Sequence, residues 1–168
     1  GPARLWEAMQ DIPALRVEAL TKRYTQDAPP AVQGLDFTMP RGATWGLLGG
    51  NGAGKTTTIA MLLDLLVPSE GRITALGHDM ATDRFAALAR MNFSSPYVAL
   101  PHRLSVRENL TVYAHLYGVT HAAARIAELA EQLQLTALLE RPAGDLSAGQ
   151  KTRVALAKAL INRPELLL

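Results

Sequence analysis

Leu15, Val17 and Ala19 alternate with Arg16, Glu18 and Leu20, and Leu35, Phe37 and Met39 alternate with Asp36 and Thr38. A side-chain period of two is that of half-buried strands, so the chain predicts an antiparallel β layer at its start. Gln26-Asp27-Ala28-Pro29-Pro30 and Pro40-Arg41-Gly42 are turn-rich connectors on either side of the second strand. Residues 43–48 are mostly apolar and carry no charge, which predicts a strand buried on both faces. Ile59, Leu62, Leu63 and Leu66 then recur at helical spacing over residues 55–66, and Pro68 forbids continuation. Residues 71–76 return as a strand bounded by glycines. Beyond Thr82 the period changes to that of successive helices, with Ser105-x-x-Glu108 a capping box and Gly118 a stop. Ile126, Leu129, Ala130 and Leu133 form a further helical stripe. A last helix is predicted over residues 147–161, ended by Pro164, and residues 165–168 start another strand.

These elements divide the chain into an N-terminal extension (1–14), a β-rich core with a glycine loop (15–82), a helical subdomain (83–142) and a closing segment (143–168), together one α/β domain. Gly1-Pro2 matches a protease-cleavage remnant and carries no fold signal. At 168 residues, 48% of them apolar, the chain is long enough for one sizeable core. The net charge is only +2 and the Lys and Arg residues are scattered, so nucleic acid is not an expected partner. Without cysteine there is no disulfide framework and no thiolate metal site, which fits a reducing cytosol without requiring it. No stretch approaches the ~20 apolar residues that cross a bilayer.

Chemistry concentrates in Gly49-Gly50-Asn51-Gly52-Ala53-Gly54-Lys55-Thr56-Thr57, placed between a predicted strand and a predicted helix. Gly49-x4-Gly54-Lys55-Thr56 fits the P-loop pattern at every fixed position. Glycines at 49, 50, 52 and 54 let the backbone turn its N–H groups inward at the positive end of the following helix, where α- and β-phosphate oxygens bind. Lys55 is expected to reach the β- and γ-phosphates, Thr56 to ligate Mg²⁺, and Thr57 to donate toward the α-phosphate; Asn51, Gly52 and Ala53 complete the cradle. A plain glycine-rich turn explains the glycines but not the Gly-Lys-Thr that follows them.

Downstream, Leu146-Ser147-Ala148-Gly149-Gln150 precedes the last helix, where Ser147 suits an N-cap. Taken with the P-loop, the run resembles the ATP-binding domain of ABC transporters, whose signature is usually Leu-Ser-Gly-Gly-Gln; here Ala148 replaces the first glycine. The resemblance extends from about Leu15 to Leu168. It implies a P-loop ATPase fold with an antiparallel β layer, a partial RecA-like core and a helical subdomain, binding ATP and Mg²⁺. It also implies a head-to-tail dimer with a second cassette, in which Ser147, Ala148, Gly149 and Gln150 close over the phosphates held by the partner's P-loop. Tyr24, in Leu20-Thr21-Lys22-Arg23-Tyr24, is by the same resemblance the aromatic that stacks on adenine, with Val32 lining the pocket. Stacking of this kind contributes about 1–3 kcal/mol and does not exclude guanine.

The family usually has a glutamine within the segment matching residues 91–98. None is present, and Pro96 falls at its position with Ser95 beside it. Proline offers no side-chain ligand for Mg²⁺, which puts the metal site and the coupling step in question. The resemblance further implies a metal-anchoring aspartate, a water-polarising glutamate, a dimer-contact loop and a γ-phosphate-sensing histidine beyond Leu168. The 168 residues are therefore expected to bind ATP but to hydrolyse it poorly, and to be less stable than a full domain or to sit in a swapped assembly. Arg107-Glu108-Asn109-Leu110 and His115-Leu116-Tyr117-Gly118-Val119 resemble the subfamily that powers drug, lipid or polysaccharide export. The expected setting is the cytoplasmic face of a membrane, against a transmembrane permease subunit. A soluble ABC-type ATPase of translation or DNA repair is the alternative, and the gap between the two motifs leaves no room for the coiled-coil insertion such proteins tend to carry. A P-loop kinase or GTPase lacks its acceptor or guanine-reading motif here.

Overall fold

The computed structural model describes residues 4, 8, 11–50, 52–94 and 99–168. They form two compact units, residues 1–89 and 90–168. In the first, β1 (Leu15–Lys22), β2 (Val32–Met39), β3 (Glu70–Ala75) and β4 (His78–Asp79) make a four-stranded antiparallel sheet in the order β2-β1-β3-β4. Alternation in β2 follows the sequence pattern, with Leu35, Phe37 and Met39 more buried than Asp36 and Thr38. In β1 it does not. Leu15, Val17 and Leu20 are buried, whereas Ala19 is exposed, in left-handed backbone with φ 48°.

The cause is a bulge: register shifts between Val17 and Leu20 against β2 add one residue and move Leu20 to the face predicted for Ala19. Asp36 Oδ1 accepts from the Ala19 amide at 2.7 Å, supplying the acceptor that the interrupted ladder removes. Gly71 lies against the bulge with φ 92°, and a Cβ there would stand 2.4 Å from the Ala19 carbonyl oxygen. Only glycine permits that approach.

Two further expectations for this unit fail. Residues 43–48 form no strand, and among the described residues nothing pairs with them; Trp45, Leu47 and Leu48 are exposed, Leu48 at 92%. An uncharged apolar run suits a buried strand, but hydrogen-bonded neighbours make one. Helix α1 (Lys55–Leu62) ends four residues earlier than predicted, because Asp64 adopts φ 59°. Its buried face is Thr58, Met61 and Leu62, and Leu65 is 74% exposed. A short α2 (Arg84–Leu88) closes the unit.

In the second unit, α3 (Val106–Leu116), α4 (Ala122–Gln132) and α5 (Ala148–Leu160) surround a core that includes Val106, Leu110, Ala114, Ile126, Leu129, Val154 and Ile161. Ser105 and Glu108 make the predicted capping box, with reciprocal bonds of 3.1 and 2.8 Å. Buried Asn109 donates to the carbonyls of Pro101, Leu104 and Ser105, tying the entry loop to α3. Gly118 takes φ 65° directly after α3, as expected of a stop. Helices do not run unbroken from residue 83 to 142: β5 (Met91–Asn92) pairs in parallel with β6 (Leu166–Leu167), and Arg90 grips Glu165 with two bonds of 2.6 and 2.5 Å. β6 lies in the strand expected at residues 165–168, whereas β5, paired across 75 residues, leaves no local trace in its two residues.

Arg125, its side chain only 10% exposed, joins α4 to the end of α5 through the carbonyls of Leu160 and Ile161 and donates to Glu128 at 3.0 Å. That donation, with Arg163 adding to it, holds the Glu128 carboxyl below its usual range. A lowered carboxyl stabilises the fold above its unfolded pKa, and the contribution is lost as pH falls through the folded value. Glu128→Gln should therefore be less stable than wild type at neutral pH, with the gap closing in acid; a gap constant with pH in urea titrations would refute the assignment. For the bulge, Gly71→Ala should lower stability by about 2 kcal/mol or more. Gly34→Ala, at φ 57° but with nothing within 4 Å of the new Cβ, should lose only about 1 kcal/mol. Equal losses would show that the Gly71 contact is unimportant.

Candidate phosphate-binding loop

The loop between residues 49 and 57 rests on the start of β2. Gly54 stands at the N-cap of α1 with φ 86°, and a Cβ there would meet the Ala31 carbonyl oxygen at 2.3 Å and Val32 Cγ2 at 3.0 Å. Gly52 is also left-handed, at φ 83°, and the Ala53 amide donates to the Gly50 carbonyl at 3.1 Å. At Gly49 a Cβ would come within 2.8 Å of the Ala53 Cβ. These contacts curl the chain back on itself just before the helix. Asn51 lies outside the described residues, as do Ser95 and Pro96.

Gly54 has no side chain with which to accept from the first-turn amides of α1, and that turn contains no acidic residue. Among the described residues no side chain caps the positive end of the helix, a fit for an anion. The Lys55 ammonium lies over the loop, donating to the Gly49 carbonyl at 2.5 Å. An ammonium has three protons, so this bond leaves two for an anion at the same place. Thr56 is exposed at the turn, with its hydroxyl suited to a hydrated divalent cation. Among the described residues no group of three or more His, Cys, Asp or Glu forms a cation site.

Tyr24 stands at the end of β1, 61% exposed, and its hydroxyl lies 3.1 Å from Thr57 Oγ1. The structure thus brings together the expected base platform and the expected α-phosphate donor. Val32, beneath Gly54, is buried at 8%. The Lys22 ammonium lies 5.6 Å from the Tyr24 ring centroid, a cation–π partner that sequence reasoning missed. Nothing local signals the bond between Tyr24 and Thr57, which lie 33 residues apart.

In the second unit, Ser147 is the N-cap of α5. Its Oγ accepts from the Gln150 amide at 3.2 Å, and Gln150 Oε1 accepts from the Ser147 amide at 2.9 Å. The same Ser-x-x-Gln/Glu pattern as at residues 105–108 is present here, so Gln150 belongs to a capping box as well as to the signature run. A cap uses a lone pair of Ser147 and leaves its proton free to donate. Ala148 and Gly149 are exposed, and the position of a Gly149 Cβ is open space.

Residues 32–168 match the ABC transporter family profile. The daunorubicin resistance ATP-binding protein DrrA3 of Streptomyces coeruleorubidus is 37% identical over 92% of the chain. The Nod factor export ATP-binding protein I of Burkholderia pseudomallei is 39% identical over 89% of it. The chain spans about half the length of these curated relatives, 49% of each. Among solved structures, the chain is similar to cbiO1 of Clostridium perfringens, described as part of the ABC transporter complex cbiONQ, with a TM-score of 0.80 and 28% identity over 94% of this chain and 64% of that one. A structure described as the ATP-binding subunit of an ABC transporter gives a TM-score of 0.78 at 28% identity, covering 92% of this chain and 64% of that one.

As a cap, Ser147 should be worth about 1 kcal/mol. Ser147→Ala is expected to lose that amount in urea denaturation, and Ser147→Asp to recover most of it. If both variants match wild type, the capping box does not hold α5.

Proposed function

The chain belongs to the ABC transporter family, and on that premise we propose that it forms the ATP-binding part of a transporter subunit. Its loop, Asn51, Gly52, Ala53, Gly54, Lys55, Thr56 and Thr57, holds the triphosphate, and the face of Tyr24 receives the adenine. The observation that carries this reading is the uncapped start of α1, curled against β2 with an ammonium over it. Thr56 is the protein's ligand to Mg²⁺, which, when bound, neutralises the phosphates and orients the γ-phosphoryl group. Donors aimed at a polyanion are strongest where water is excluded.

Ser147, Ala148, Gly149 and Gln150 act on a second cassette. The spare Ser147 proton and the uncovered first-turn amides of α5 suit the γ-phosphate of a nucleotide held by the partner's loop in a head-to-tail dimer. Closure of the two cassettes then does mechanical work on a transmembrane permease subunit at the cytoplasmic face of the membrane, coupling ATP binding and hydrolysis to transport. Among the described residues no helix is long and apolar enough to cross a membrane, which fits a peripheral role beside such a subunit. The daunorubicin resistance and Nod factor export relatives favour export.

The test is titration of the chain with ATP, with and without Mg²⁺. Lys55→Ala should weaken binding roughly ten- to a hundredfold, the range for losing hydrogen bonds to charged groups, while leaving the urea midpoint nearly unchanged. Absence of ATP binding by wild type, or full binding by Lys55→Ala, refutes the reading.

A further inference from the structure

The bond between Tyr24 and Thr57 links two parts of the proposed site that are 33 residues apart. An exposed tyrosine at a strand end has little to hold its ring. Here the ring is fixed at two places, by its hydroxyl on Thr57 and by the Lys22 ammonium near its face, itself anchored on the Val67 carbonyl at 2.8 Å.

We propose that Thr57 is a positioning residue for the base platform: its hydroxyl holds Tyr24 and thereby couples recognition of the base to recognition of the phosphates. This rests on the nucleotide reading above. The proton count allows both contacts at once. Tyr24 has one hydroxyl proton; Thr57 has one proton and two lone pairs. With Tyr24 donating to Thr57 Oγ1, the Thr57 proton is free for a phosphate oxygen. The chain phenol, threonine hydroxyl, phosphate then runs in one direction, and each bond in such a chain polarises the next. A phosphate accepting from Thr57 orients the Thr57 hydroxyl and leaves an Oγ1 lone pair directed at the phenol. Removing either hydroxyl frees the ring, so the base-stacking contribution falls because the platform must be ordered on binding.

The prediction is tested with the full chain by a double-mutant cycle, using ATP and inorganic tripolyphosphate as probes. Tyr24→Phe keeps the ring and deletes only the hydroxyl. It should weaken ATP binding about fivefold, the scale of one net hydrogen bond, and leave tripolyphosphate binding unchanged. In a Thr57→Val background the same Tyr24→Phe change should have no effect on ATP, whereas in a Thr57→Ser background, which retains the hydroxyl, the fivefold loss should return. A merely structural role for the pair would weaken both probes together. An equal effect of Tyr24→Phe in all three backgrounds, or none in wild type, overturns the coupling while ATP binding by wild type leaves the nucleotide reading intact. If wild type binds tripolyphosphate but not ATP, both proposals fall.

Discussion

The seating of Gly54 on the backbone of Ala31 is the constraint on which the proposed site depends. A carbonyl oxygen occupies the space that any Cβ would need, so the start of α1 is held against the start of β2 at a distance only glycine allows. From that contact follow the direction of the helix, the uncapped amides at its first turn and the position of Lys55 over the loop. It also brings Thr57 within hydrogen-bond reach of Tyr24. The β layer serves the loop in the same way: its bulge at Ala19 is accommodated by a second glycine, Gly71, and satisfied by Asp36.

The helical unit uses different physics. Its three main helices are joined by a continuous apolar core, and two of them start with reciprocal Ser-x-x-Glu or Ser-x-x-Gln boxes. Arg125 and Arg153 reach the carbonyls at helix ends, Arg125 from within the packed interior. The contrast with α1 bears on function. α3 places its first-turn amides on Ser105, Leu139 and Arg141. α5 caps only its Gln150 amide, with a serine whose proton remains available. α1 has no side-chain cap among the described residues.

Much of this was legible in the chain. Alternation over residues 35–39, the capping box at Ser105, the stop at Gly118 and the stripe from Ile126 to Leu133 depend on neighbours a few residues away, and each is found where expected. The P-loop pattern was legible for the same reason, since its glycines, lysine and threonines act through the local turn. Failures came where the deciding partner was remote. The run at residues 43–48 has the composition of a buried strand yet pairs with nothing among the described residues, and a bulge exchanged Ala19 for Leu20.

Sequence by itself therefore determined which segments are strand-like or helical, where most helices begin and stop, and the residue types of the proposed phosphate loop and signature, because backbone conformation and side-chain period are set within a turn or two of chain. Tertiary structure alone decided which strands pair, that β5 and β6 run parallel, that Gly54 and Gly71 must lack a Cβ, and that Tyr24 shares a hydrogen bond with Thr57. Those facts are distances between residues far apart in the chain, fixed by packing and by the need of each backbone group for a partner, and no local pattern encodes them.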